Sequence, residues 1–320
     1  GTKTFVTGFS NDSVYQNTFS TGFDVSTASY SAAFSVVLQE DSPQGITFNN
    51  SGTKMYIVGR DGDDINEYST LSGLQLGTGS FASTDVGKTI NVNDGVLILT
   101  ATDGSYADTT APSSTDTAAS GEWSMFGVVY DASADVLKTS SGVKGASFDI
   151  TVTSFVQTLD LDAQDLAITD VKFNTDGTKM FTTGSKGDSV YEYTLSTAFD
   201  ISTASFVDSF SVSSQESSPQ GLAFNTDGTK MFIAGASGDD INEYTLSTGF
   251  DISTASFVDN FSVSAQEAVP SGIAFNANGT KMFVSGAGAD SVHEYTLSTG
   301  FDVSTASFVD SFDISNLDTQ

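Results

Sequence analysis

Short runs rich in β-branched and aromatic residues recur along the chain, separated by clusters of Asn, Asp, Gly, Ser and Thr. Over 221–263 the runs are 221–225, 230–235, 240–246 and 256–263. Between them lie Asn225-Thr226-Asp227-Gly228, Gly235-Ala236-Ser237-Gly238-Asp239 and the longer 247–255. The runs are too short for amphipathic helices, and their flanks carry the residues that make turns. The pattern predicts four short strands joined as an antiparallel meander.

The meander repeats. Gly-Thr-Lys begins at Gly1, Gly52, Gly177, Gly228 and Gly279, a period of 51 with one interval of 125. Ser80-Phe81 keeps the phase after Gly52 that Ser205-Phe206 keeps after Gly177, and Ser154-Phe155 regains it 74 residues later. Residues 82–153 therefore read as an inserted module, and 1–81 with 154–320 as the repeat domain. A four-stranded unit at this period predicts the blade of a β-propeller; a linear solenoid competes, but its repeats are usually shorter or helical. The expected fold is all-β, a propeller of four-stranded antiparallel blades. Without the 74 surplus residues 246 remain, nine short of five units, and the missing phase is that of 219–227, one whole first strand. Either a five-bladed ring lacks one inner strand or the chain is cut from a longer array. The second is expected, because an open sheet edge invites aggregation.

The insertion also reads as β, with runs at 88–93, 96–102, 123–131 and 147–153, and predicts a small sandwich or barrel. It enters between the third and fourth strands of its blade, at a surface connection that tolerates insertion.

A residue type kept in every unit points to a scaffold role. Lys3, Lys54, Lys179, Lys230 and Lys281 are expected to pair a nearby carboxylate or cover a sheet edge. Asp12, Asp63, Asp188, Asp239 and Asp290 sit in the turn between second and third strands and are expected to form it. The connection from fourth to first strand carries Glu40, Asp165, Glu216 and Glu267, with Asp318 in the same phase. Leading into the channel-lining strand, these predict a ring of carboxylates at one mouth, a place for calcium, which prefers oxygen ligands; the competing reading is a solvated acidic loop. His293 takes a position filled elsewhere by Tyr15, Asn66, Tyr191 and Asn242, which suggests a tolerant strand position without a catalytic partner. Asp170 and Lys172 replace the regular Gly221 and Ala223, as a functional pair or an irregularity beside the insertion. Trp123, with Tyr106 and Tyr130, supplies aromatic candidates for binding a sugar or partner, set against a role in the module's core.

Charge narrows the partners. With 40 acidic against 11 basic residues the net charge is -29, which excludes nucleic acid and anionic membrane surfaces. There is no cysteine for disulfide or thiolate chemistry, a single histidine, and no apolar run long enough to insert in a membrane as a helix.

The segment Pro219-Gln220-Gly221-Leu222-Ala223-Phe224-Asn225-Thr226-Asp227-Gly228 resembles the blades of YVTN- and NHL-type propellers. Asp85-Val86-Gly87-Lys88 and Gly121-Glu122-Trp123, with Asn93-Asp94-Gly95 between them, resemble a module of bacteriophage tail and fibre proteins; Ser247 to Phe257 resembles marine phage structural proteins. This resemblance implies a non-enzymatic virion appendage on the particle surface, extracellular, bound to other virion proteins and recognising a host-surface glycan or protein, with homo-oligomers compatible with repeated display. The alternatives are a metal-dependent, lactonase-like hydrolase propeller, its calcium on the carboxylate ring, and a bacterial extracellular adhesin.

Overall fold

The computed structural model describes residues 2–8, 11–60, 62–70, 89–92, 95–102, 107–109, 123–125, 128–131, 136–139, 150 and 153–317. The chain divides into two compact units, Gly1–Ser69 with Ser154–Gln320, and Thr70–Thr153. In the first unit β1 (Lys3–Gly8), β2 (Ser13–Phe19) and β3 (Ala28–Ser35) form one sheet, and β4 (Pro43–Phe48), β5 (Lys54–Gly59) and β6 (Asp64–Ser69) begin the next.

The second unit carries β7 (Thr89–Val92), β8 (Gly95–Thr102), β9 (Ala107–Thr109), β10 (Trp123–Met125), β11 (Val128–Asp131) and β12 (Val136–Thr139), in one antiparallel sheet of order β10-β11-β12-β9-β8-β7. The expected strand 123–131 is thus a hairpin of two. Ile150, expected in a strand, lies in a 3-10 turn and is fully buried, in the same phase as the buried Ile201 and Ile252.

β13 (Ser154–Asp160) then completes the second blade by pairing with β6. The regular blades follow: β14 (Ile168–Phe173), β15 (Lys179–Gly184), β16 (Ser189–Leu195) and β17 (Ala204–Ser211); β18 (Pro219–Phe224), β19 (Lys230–Gly235), β20 (Asp240–Leu246) and β21 (Ala255–Ser262); β22 (Pro270–Phe275), β23 (Lys281–Gly286), β24 (Ser291–Leu297) and β25 (Ala306–Asp313). The result is an all-β propeller of five blades. Four are four-stranded, and the first has three described strands.

The core lies between blades. In the three middle blades the second and third strands are buried almost throughout, whereas the fourth strands read as exposed along most of their length. Burying Ile233, Ile241, Met282 and Val284 supplies the main driving force, roughly 2 kcal/mol per side chain. Polar clasps fix how neighbours dock. Lys179 Nζ donates to Glu192 Oε1 at 2.6 Å and to Phe250 O of the next blade at 2.6 Å, while Glu192 Oε2 accepts from Ile252 N at 3.1 Å. Lys230 and Glu243 repeat this toward Phe301 and Val303. Lys281 and Glu294 reach Phe23 and Val25 of the first blade, so the fifth blade docks on the first and the ring closes at five.

Candidate functional site

The inner strands β4, β14, β18 and β22 neighbour one another in sequence order around the axis. Glycine permits this closeness: a Cβ on Gly45 would lie 2.7 Å from the Cα of Asp170, and one on Gly221 would lie 2.6 Å from Ser271 O. After each inner strand comes a turn, and the turns are tied together. Asn50 Nδ2 donates to Thr175 O, Thr175 Oγ1 to Thr226 O at 3.1 Å, and Thr226 Oγ1 to Ala277 O at 3.3 Å.

Beside these turns lies a cleft of about 370 Å³, with Asn50, Lys172, Phe173, Phe224, Phe250 and Ala274 in its walls. Most of these residues follow the repeat, but Lys172 does not. Its phase is held by Thr47, Ala223 and Ala274 in the other blades, and the phase of Asp170 by Gly45, Gly221 and Gly272. Lys172 Nζ donates to Asp170 Oδ1 at 2.5 Å; the same oxygen accepts from Val171 N at 2.8 Å, and Oδ2 accepts from Leu222 N of the next blade at 2.8 Å. Asp170 is 4 % exposed, and burial raises its carboxyl above the usual range, with the Lys172 ammonium opposing. The pair thus fixes an ammonium in the cleft wall, where it can hold an anion or polarise a carbonyl oxygen.

The four described carboxylates of the predicted ring are placed otherwise. Glu40, Asp165, Glu216 and Glu267 are all buried, each within its own blade. Glu216 accepts from Ser218 N at 2.6 Å, Ser237 N at 3.1 Å and Gly238 N at 3.1 Å; Glu267 accepts from Val269 N and Gly288 N at 2.8 Å and from Ala289 N at 3.2 Å. Asp165 accepts from Ala167 N, Gly187 N and the Tyr191 hydroxyl, and Glu40 from Ser42 N. The connection does meet the turn between second and third strands, but its carboxylate folds onto the amides of that turn instead of facing the channel. Among the described residues no three acidic or histidine side chains come together as a metal site. Asp318 lies outside the described residues.

His293 is buried, with neither ring nitrogen hydrogen-bonded among the described residues, and Nε2 lies 3.9 Å from Glu267 Oε2. Its position is interior, not the tolerant one expected, and desolvation lowers its pKa despite Glu267. In the second unit Trp123 and Tyr130 are directly opposed in the β10–β11 pair, while Tyr106 lies outside the described residues. The third-strand acids Glu67, Glu192, Glu243 and Glu294 escaped the sequence reading. Their signal was present: each stands 13 residues after its repeat lysine.

No family model and no curated protein matches this chain. Solved structures do. A proposed 6-phosphogluconolactonase from Bacteroides uniformis matches at 12 % identity and a TM-score of 0.46, over 96 % of this chain and 81 % of its own. A periplasmic gluconolactonase from Pseudomonas aeruginosa matches at 11 % and 0.45, over 94 % and 77 %. A protein of unknown function from Desulfotomaculum acetoxidans matches at 12 % and 0.45, over 98 % and 80 %. Likeness at this level concerns fold. Of the three structures named here the two with a stated activity are lactonases and none is a tail or fibre protein, and the expected non-enzymatic phage appendage is not carried forward. Neither the virion role nor the exclusion of an enzyme is kept.

Proposed function

We propose that this propeller is a lactonase-like hydrolase acting at the channel mouth on a small cyclic ester that carries hydroxyl or acidic groups. The observation that carries the reading is Lys172, an ammonium set into the cleft wall by a buried carboxylate at the one inner strand that breaks the repeat. Such a group stabilises the oxyanion that forms when water adds to an ester carbonyl. The bond from the carbonyl carbon to the ring oxygen then breaks, the ring oxygen takes a proton from water, and a hydroxy acid leaves. Asp170 acts as the positioning residue. Phe173, Phe224 and Phe250 offer apolar walls for a sugar-like ring. The blade pattern supports kinship with YVTN- and NHL-type propellers as part of the same reading.

The test uses the chain's own repeat as its control. The double variant Asp170→Gly with Lys172→Ala restores the residues of the regular blade, Gly221 and Ala223, and removes both partners of the pair together. Removing both partners together avoids leaving one buried charge unpaired, which is the larger cost of breaking such a pair. Hydrolysis of glucono-1,5-lactone and 6-phosphogluconolactone is followed by acid release. Turnover above the spontaneous rate that the double variant loses, with its melting temperature retained, is expected. Turnover absent from the parent chain, or unaltered in the variant, overturns the reading.

A further inference from the structure

We infer that the cleft beside Lys172 selects an uncharged polyhydroxylated ring and rejects the same ring bearing a phosphate, a narrowing that rests on the hydrolase reading above. Among the described residues that line the cleft Lys172 is the one basic side chain, and Asp170 neutralises it at 2.5 Å. Both Asp170 oxygens accept, from Lys172 Nζ, Val171 N and Leu222 N, as an ionised carboxylate does. Lys179, bonded to Phe250 O, is likewise paired, with Glu192 at 2.6 Å. The Lys172 ammonium still offers N–H groups to an oxygen placed against it, but from a few ångströms away the pair has no net charge to attract an anion.

Acids gather at this place and not at its counterparts. The turn after the inner strand carries Asp176 in the third blade and Asp227 in the fourth, next to Thr175 and Thr226 of the cleft wall. The same phase holds Ser51 in the second blade and Asn278 in the fifth. Both aspartates are exposed, and bonds from the Thr178 and Thr229 hydroxyls hold their carboxyls below the usual range, so they are charged at neutral pH. Asp251 adds a third carboxylate, directly after Phe250 of the wall. The field met by an approaching ligand is therefore negative.

The donors that a phosphate needs are also taken. Turn amides and basic side chains are what hold such a group. Here Asp176 Oδ1 accepts from Thr178 N at 3.0 Å and Asp227 Oδ1 from Thr229 N at 3.1 Å, while Gly177 N and Gly228 N donate to Asn174 O and Asn225 O. In both turns the protein's own carboxylate stands where an anion would bind. What the walls leave for a ligand is the hydroxyl oxygens of Thr175 and Thr226, which accept from sugar hydroxyls, and the rings of Phe173, Phe224 and Phe250, which suit the apolar face of a pyranose.

Titration calorimetry compares gluconolactam with its 6-phosphate, a pair that keeps the ring and carbonyl of a lactone without being hydrolysed, and kcat/KM is measured for the two corresponding lactones. At low salt the uncharged lactam is expected to bind roughly tenfold more tightly than the phosphorylated one, and the gap should close as salt is raised. The double variant Asp176→Asn with Asp227→Asn tests the source of the field. Asn278 already makes this turn, its Oδ1 accepting from Thr280 N at 3.3 Å and Thr280 Oγ1 at 2.7 Å, so the turns are kept. The variant should bind the phosphorylated lactam several-fold more tightly, with the uncharged one unchanged. Equal or tighter binding of the phosphorylated lactam by the parent chain, a preference that neither salt nor the variant alters, or no saturable binding of the uncharged lactam at about 10 mM overturns the inference. Binding with the expected preference while both lactones go unhydrolysed removes the hydrolase reading and leaves the charge selection standing.

Discussion

At the scale of single residues, the third-strand position of His293 follows a rule written into the repeat. Where the strand opens with Asp64 or Asp240, Asn66 or Asn242 follows two residues later and donates to it at 2.6 and 2.7 Å. Where it opens with Ser13, Ser189 or Ser291, the partner position holds Tyr15, Tyr191 or His293. Tyr191 reaches the buried Asp165, but His293 makes no such bond with Glu267. Its folded pKa lies below the unfolded 6.5, so between those values the unfolded chain binds a proton that the folded chain does not. Stability contributed by neutral His293 is therefore present above pH 6.5 and lost as pH falls through that value toward the folded pKa. Asp64, pushed up to about 6 by burial, has the opposite sign, losing stability as pH rises through about 6. Comparison with His293→Tyr isolates the histidine. In urea melts from pH 8 to pH 5 the variant should gain on the parent below pH 6.5, and parallel curves would show that His293 charges freely in the fold.

The elements are held by devices that recur with the period. Fourth strands protect the rim: in β17 a bulge leaves Val207 out of register between Phe206 and Asp208, and β21 and β25 do the same at Val258 and Val309. A bulged, acid-bearing edge resists pairing with other chains. Between blades the lysine–glutamate clasp matters more, because the carboxylate is buried and serves two blades. Glu243→Ala leaves Val303 N without its acceptor and Lys230 without its counter-ion. Breaking a buried pair costs about 3–5 kcal/mol, and a lysine about a quarter exposed brings the expected loss nearer 2–3 kcal/mol. Chemical denaturation measures it; a loss under about 0.5 kcal/mol would place the clasp with ordinary surface pairs.

For the whole molecule, the question raised by a net charge of -29 is whether its carboxylates serve an ion or the fold. In three blades the connection carboxylate caps the turn between second and third strands, and in four the neighbouring glutamine accepts from a tyrosine hydroxyl, as Gln215 does from Tyr244 at 3.4 Å. Oxygens already taken up by backbone amides are poor ligands for calcium, which needs six to eight. Millimolar calcium should therefore leave the melting temperature where an equal ionic strength of magnesium leaves it. A calcium-specific rise that Glu216→Gln abolishes would show these carboxylates turned outward to a metal.

The 51-residue phase by itself determined the blade, its four strands and the scaffold lysines, because each depends on local turn chemistry and alternation repeated in one order. It also singled out Asp170 and Lys172. Tertiary structure decided what spacing cannot carry. Closure at five depends on Lys281 and Glu294 reaching the first blade from more than 250 residues away. The carboxylates of the connections face inward because the amides of a turn some 20 residues later need acceptors once buried. Lys172 becomes a candidate functional group, instead of an irregularity, only where the neighbouring inner strand supplies Leu222 N to hold its aspartate in place.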